Sequence, residues 1–155
     1  MVRLGIAMYG LSPDVSTLGD ASQFSLKPAM TLKAKLSLVK KAPRGSAVGY
    51  GGTAILERDT QLGVVVLGYS DGIPRGTSQA AGVSFDGVRA PLVGRISMDQ
   101  FVVDLGPDST ASAGDYVTIF GGDGYSIDEW ASAASTINYE IVTRIASRVH
   151  RIYVN

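Results

Sequence analysis

Cysteine is absent from the sequence, histidine occurs once, and the 14 basic residues are matched by 14 acidic ones. Without cysteine the chain can form no disulfide, no thiolate nucleophile and no cysteine-ligated metal site, and one histidine cannot build a metal site alone. A balanced charge offers nucleic acid or an anionic membrane surface no electrostatic attraction. We therefore expect chemistry that uses other side chains, with no metal and no nucleic acid as partner.

Long apolar stretches are also lacking. No apolar run reaches the roughly 18 residues needed to span a bilayer, and the first ten residues do not have the pattern of a secretory signal. These features predict a soluble protein. Residues 2–8 form an apolar segment interrupted only by Arg3, as if the chain entered in the middle of a fold, which indicates a fragment.

Glycine, in contrast, is abundant, with 19 in 155 residues. The glycines separate short apolar runs, as in a β protein with many turns. From residue 30 to residue 38 every second residue, including Leu38, is apolar, which predicts a half-buried strand. Further strands are predicted at residues 62–67, 83–85, 88–93, 101–105, 116–120 and 151–154. This spacing favours a mainly β fold, a Greek-key-like β-barrel or a sandwich.

Local signals add one hairpin and two short helices to this fold. Asp86 and Gly87 lie between two predicted strands and favour a two-residue hairpin turn. Ser126 followed by Glu129 is a capping-box pattern, which predicts a helix at residues 128–134. An apolar residue at every fourth position predicts a second helix at residues 138–147.

The division of the chain follows from composition. Residues 13–25 are rich in serine, aspartate and glycine and are predicted to be a linker. Residues 1–12 would then be a strand that belongs to another domain, and residues 26–155 a single β domain, whose size is enough for a real core.

Three glycine-bearing turns carry the candidate functional side chains. Tyr50 lies among Gly49, Gly51 and Gly52, but a structural tyrosine at a bulge is the commoner explanation for such a pattern. The cluster lacks the following lysine of a phosphate-binding loop. Residues 68–75 and 94–100 are polar turns after apolar strands, where functional residues often lie, although ordinary surface turns would look the same. His150 is assigned no role.

Taken in order, six segments resemble the alanine racemase family and together span almost the whole chain. They are residues 3–10 (RLGIAMYG), 26–28 (LKP), 48–51 (VGYG), 68–72 (GYSDG), 93–100 (VGRISMDQ) and 136–141 (TINYEI). Members of that family have an N-terminal α/β barrel, whose lysine holds pyridoxal phosphate, and a C-terminal β domain. The sequence resembles the C-terminal β domain, preceded by the last strand of the missing α/β barrel at residues 3–8.

The resemblance implies a role for particular residues. The implied catalytic base is Tyr50; the implied cofactor-binding residues are Arg3, Gly5, Ile6 and Tyr139; and the implied substrate-binding residues are Met98, Tyr69, Arg75, Arg95, Asp99 and Ile137. Arg3 would contact the pyridine nitrogen, the Gly5 and Ile6 amides with the Tyr139 hydroxyl the phosphate, and the Met98 amide the substrate carboxylate. The other five would line the inner pocket and the access corridor.

The family also implies the wider setting. Its members interconvert L-alanine and D-alanine in the cytoplasm, where D-alanine serves cell-wall synthesis. Their sites lie between the two subunits of a homodimer, so that the Tyr50 and Met98 positions of one subunit face the barrel of the other.

The chain departs from the family in ways that leave alternatives open. No segment matches the lysine region, so this polypeptide alone is predicted to be inactive. Ser70 stands where alanine is common, and His150 where proline is common. Two alternatives are a stand-alone β-barrel binding or assembly module that uses an exposed apolar surface, and a racemase for serine, lysine or another amino acid.

Overall fold

The computed structural model describes residues 1–154, and its centre is a closed barrel of six antiparallel strands. Along the chain the strands are β1 (Leu32–Ala42), β2 (Ala47–Val48), β3 (Ala54–Ile55), β4 (Thr60–Val65), β5 (Gly82–Phe85), β6 (Val88–Val93), β7 (Phe101–Gly106) and β8 (Tyr116–Phe120). β2 and β3 form a separate hairpin, and the barrel order is β1-β4-β7-β6-β5-β8. The predicted mainly β barrel is confirmed.

The barrel connections have Greek-key character. β5, β6 and β7 are neighbours in both sequence and space, whereas the links from β4 to β5 and from β7 to β8 join strands that do not pair. The predicted hairpin is present, because Phe85 pairs with Val88 and the intervening Asp86 and Gly87 have φ of 47° and 76°. Positive φ at both turn residues matches the right-handed twist of the flanking strands.

Short helices cover the barrel. They are α1 (Val15–Leu18), α2 (Ile127–Ala133) and α3 (Asn138–Thr143), together with 3-10 helices at Gly5–Tyr9, Ala21–Phe24, Tyr50–Gly52 and Tyr69–Asp71. The capping box predicted for α2 is present: Glu129 N donates to Ser126 Oγ at 3.0 Å, and Ser126 N donates to Glu129 Oε2 at 2.7 Å. No helix within residues 1–154 is long and apolar enough to cross a bilayer.

Trp130 of α2 anchors the helices to the barrel core. Its side chain is fully buried, its indole N–H donates to Ile119 O at 2.7 Å, and its ring meets Phe101 edge-on with centroids 6.2 Å apart. Burial of a large aromatic ring together with a partner for its N–H is the favourable arrangement for tryptophan in a core.

Two predictions about element geometry are wrong. Leu38 does not share the buried face of β1: a register shift against β4 lies between Leu36 and Leu38, so Leu36 is buried whereas Leu38 is 46% exposed. A bulge of this kind reverses the alternation of side chains beyond it. In addition, α3 ends at Thr143 rather than at residue 147, because the Ala146 N–H donates to Asp71 O at 2.9 Å and not to its own helix.

The ends of the chain also differ from the predictions. The strand expected at residues 3–8 is not formed, and Gly5–Tyr9 is a 3-10 helix. A strand needs a neighbour to accept and donate its backbone hydrogen bonds, and no described strand lies beside this segment. For the same reason residues 151–154 form no strand.

Residues 13–25, predicted to be a linker, are locally ordered by two aspartates. Asp14 accepts the Ser16 N–H at 3.0 Å at the start of α1, and Asp20 accepts the Ser22 N–H at 2.9 Å at the start of the next 3-10 helix. Aspartate before the first turn satisfies amides that have no partner inside the helix. The segment therefore carries two short helices.

Candidate functional site

Two loops that carry predicted site residues lie at the same end of the barrel. Val65 at the end of β4 pairs with Phe101 at the start of β7, and Val93 at the end of β6 pairs with Val102. The loop that leaves β4 and the loop that joins β6 to β7 therefore meet at the same end. Residues 68–75 and 94–100, which are separate turns in the sequence, are neighbours there.

The loop that carries Tyr50 reaches this end through a contact between two glycines. A Cβ on Gly49 would lie 3.2 Å from Arg95 N, and a Cβ on Gly94 would lie 3.0 Å from Val48 O. Both glycines have positive φ, 80° and 75°. Glycine is favoured at both positions by the conformation and by the close backbone approach. The contact brings the Tyr50 and Arg95 loops together, and the Tyr50 side chain is 77% exposed.

The Tyr69 turn and the Met98 loop are joined by backbone hydrogen bonds. Tyr69 N donates to Ser97 O at 3.1 Å, and Ser70 N donates to Met98 O at 3.0 Å. A Cβ on Gly68 would lie 2.2 Å from Met98 O, so the approach requires glycine. The Met98 carbonyl is thus occupied, while its N–H has no acceptor within residues 1–154 and remains available to a ligand.

An ionic cluster joins these two loops and was not identified from the sequence. Arg148 Nε donates to Asp71 Oδ1 at 2.6 Å, Arg148 Nη2 donates to Asp99 Oδ1 at 2.7 Å, and Nη2 also contacts Ser70 Oγ. Hydrogen bonds from Arg148 and Ser70 lower the pKa of Asp99. Arg148 and Asp71 are 77 residues apart, and no local pattern marks Arg148.

A second set of predicted residues lies around the start of α3. The Tyr139 hydroxyl is 3.6 Å from the position that a Cβ on Gly5 would take, and Gly5 has φ of 56°. Asn138 fixes the arrangement, because its Nδ2 donates to Ser12 O and to Asp128 Oδ1, both at 2.8 Å. The side chain of Ile6 is buried in the core, so only its backbone could bind a ligand.

The remaining predicted residues are exposed. Arg3 precedes the Gly5 segment, Arg75 lies in the turn after Pro74, and Ile137 is the residue before α3. Within the part of the chain that the structure describes, Arg3 and Arg75 make no ion pair.

Apart from Arg75 and Ile137, the predicted residues thus form two groups. The Tyr50 group consists of Tyr50, Tyr69, Arg95, Met98 and Asp99, and the Tyr139 group consists of Arg3, Gly5, Ile6 and Tyr139. No hydrogen bond among residues 1–154 joins a member of one group to a member of the other. Residues 1–154 contain no cluster of three or more histidine, aspartate or glutamate side chains that could hold a metal ion. The first group offers a phenol and a free amide, and the second offers donors that suit an anion.

Comparison with known proteins gives a consistent match. Residues 29–153 match the family model for the C-terminal domain of alanine racemase. The alanine racemase of Streptomyces coelicolor is 50% identical over 157 residues, an alignment that covers 100% of this chain and 40% of that protein. The chain thus spans about 40% of the length of this curated relative.

Solved structures agree with the sequence match. Alanine racemase from Streptomyces coelicolor A3(2) superposes with a TM-score of 0.92 at 51% identity, covering 99% of this chain and 40% of that one. Alanine racemase from Bartonella henselae, whose structure contains covalently bound pyridoxal phosphate, superposes with a TM-score of 0.84 at 31% identity, covering 96% of this chain and 40% of that one.

Proposed function

The chain belongs to the alanine racemase family, whose C-terminal domain it contains, and we propose that it forms one part of an active site that interconverts L-alanine and D-alanine. The observation that carries this proposal is the meeting of the Tyr50, Tyr69 and Met98 loops at one end of a barrel that matches alanine racemases throughout. The rest of the site would come from an N-terminal α/β-barrel domain, with its lysine, and from a second subunit.

A surface near the N-terminus supports this larger assembly. Val2, Leu4 and Met8 are 84%, 65% and 71% exposed. Clustered exposed apolar side chains are typical of a surface that another protein surface covers. We propose that the α/β barrel covers them and that residues 3–8 become its last strand there, since neighbouring strands would then be present.

The Tyr139 group fits pyridoxal phosphate. The Tyr139 hydroxyl beside Gly5, and the backbone amides of Gly5 and Ile6, are donors that suit a phosphate. Arg3 would donate to the pyridine nitrogen, and because a guanidinium keeps its protons, that nitrogen would stay unprotonated. When bound, the cofactor withdraws electrons from the α carbon of the substrate and so makes the α hydrogen more acidic.

Racemisation needs a proton to leave one face of the α carbon and another to arrive on the opposite face. Two bases on opposite faces do this most simply. We assign the Tyr50 phenolic oxygen to one face, where it takes the α proton of L-alanine, and the lysine of the α/β barrel to the other. A phenol acts as a base only where cations or hydrogen-bond donors stabilise its anion.

The Met98 backbone amide would hold the substrate carboxylate. Its carbonyl is fixed by Ser70 and its N–H has no acceptor within residues 1–154, which is the state expected of an amide reserved for a ligand. The inner pocket and the access corridor would be lined by Tyr69, Arg75, Arg95, Asp99 and Ile137. Binding by the amide orients the α carbon between the two bases.

The test is racemisation by the full-length protein that carries this chain, loaded with pyridoxal phosphate. Chiral chromatography should show equal amounts of the two alanine enantiomers from either one. L-Serine and L-lysine, assayed in parallel, distinguish a racemase for another amino acid. No racemisation of any of the three would reject the proposal and favour the alternative of a binding module.

A further inference from the structure

We propose that Arg148 is a positioning residue of this site, which holds the Met98 backbone amide in place by joining Asp71, Ser70 and Asp99. The inference rests on the proposed function, because it concerns the amide that would hold the substrate carboxylate. Arg148 itself need not touch the substrate.

Asp71 is the fixed end of this arrangement. It is 7% exposed, and its Oδ2 accepts the Gly68 N–H at 2.8 Å. Its backbone carbonyl accepts the Ala146 N–H at 2.9 Å. The following Gly72 is packed so closely that a Cβ there would lie 2.2 Å from Arg144 O. The Asp71 turn is therefore held by backbone contacts on two sides.

Asp99 is the exposed end. Its side chain is 62% exposed, and its partners within residues 1–154 are Arg148 and Ser70. It directly follows Met98, so a bond that holds Asp99 also restricts the Met98 backbone. Arg148 reaches both carboxylates with different nitrogens of one planar guanidinium. Arg148 thereby connects the exposed loop to the fixed Asp71 turn. A lysine ammonium group, which has only one nitrogen, would make this connection less well.

Ser70 strengthens the same connection. Its hydroxyl lies 2.7 Å from Met98 O and 2.8 Å from Asp99 Oδ1, and it accepts from Arg148. A hydroxyl has one proton, so it donates to one of these two oxygens at a time. An alanine at this position would lack the bond. The serine thus gives this chain an additional connection between Arg148 and the Met98 loop.

The test measures alanine racemisation by the full-length, cofactor-loaded dimer and three variants. Since the carboxylate is held both before and during proton transfer, a looser amide should raise KM and leave kcat within about twofold. We expect Arg148→Met to raise KM for alanine about 10-fold, the effect of losing a hydrogen bond to a charged group. Arg148→Lys should recover part of this loss, and Ser70→Ala should raise KM about 3-fold.

Arg144→Met is the matched control. Arg144 forms an ion pair with Glu140 at 2.6 Å, and its side chain is 53% exposed, compared with 54% for Arg148. The Arg144→Met substitution removes the same charge and an exposed ion pair, but the Arg144 side chain does not contact the Met98 loop. Its KM should equal that of the wild type.

The outcomes separate this inference from the proposed function. If the wild-type enzyme racemises alanine but Arg148→Met lowers kcat or Tm without raising KM, Arg148 is merely structural and the inference is wrong. If Arg148→Met does not fold, unchanged KM values for both Arg148→Lys and Ser70→Ala overturn it equally. If the wild type racemises no alanine, the proposed function fails first and the inference fails with it.

Discussion

Replacement of Tyr50 by phenylalanine in the full-length enzyme removes one oxygen and nothing else. If this oxygen is the base for one face of the substrate, the rate of racemisation should fall by about 100-fold to 10,000-fold, the usual contribution of a positioned acid or base. Overall racemisation must fall equally in both directions, because the substrates alone fix an equilibrium constant near unity. Chiral chromatography from each enantiomer measures both rates.

The direction of the defect can still be seen in the individual proton transfers. Tyr50 is assigned to the α hydrogen of L-alanine, so exchange of that hydrogen with deuterated solvent should slow more than exchange from D-alanine. Mass spectrometry of each recovered enantiomer after a short incubation measures the two exchange rates separately.

The structure indicates that stability should hardly change. Tyr50 is 77% exposed, and its hydroxyl has no hydrogen bond within residues 1–154. Its loss should therefore alter the free energy of unfolding by less than about 0.5 kcal/mol. Tyr116→Phe is the matched control, because Tyr116 is 61% exposed on β8. If Tyr50→Phe kept its steady-state rate within about twofold of wild type, Tyr50 would be a structural residue.

Three further predictions concern the chain itself. Residues 1–155 alone, treated with pyridoxal phosphate and borohydride, should show no stoichiometric label on one specific lysine by mass spectrometry; Lys33 and Lys35, exposed on β1, should label only weakly. Trp130→Ala should destabilise the protein by about 3–5 kcal/mol in urea unfolding, because it removes a fully buried aromatic side chain. The hydrogen bonds from Arg148 and Ser70 lower the pKa of Asp99, so its contribution to stability should be present at neutral pH and lost as pH falls through that lowered pKa. Asp99→Asn should flatten this acid dependence of Tm, and an unchanged acid profile would contradict the assignment.

The barrel could be predicted from the sequence because its signals are local. The alternation in β1, the glycine spacing and the Asp86–Gly87 turn each depend on neighbours in the chain. The errors arose where a distant residue determines the local structure. The bulge before Leu38 depends on pairing with β4, and α3 ends early because the Ala146 N–H bonds to Asp71.

The candidate site could be predicted less well than the barrel from local sequence signals. Tyr50 and Met98 could be singled out only through the family resemblance, since each lies in a turn that would look ordinary by itself. Their loops come together through strand order and through the Gly49 and Gly94 contact, which are properties of the closed barrel. Arg148 was missed altogether because its partners are far away in sequence.

The Asp86–Gly87 turn is a suitable position for attaching a label to the protein. The Tyr50 group lies at the end of the barrel where β6 finishes, whereas this turn precedes Val88, where β6 begins. Five residue steps along a strand separate the two ends by about 17 Å. A fluorophore or an affinity tag inserted between Asp86 and Gly87 would lie at the opposite rim, so the labelled protein could be followed or immobilised with the loops of the Tyr50 group left unmodified.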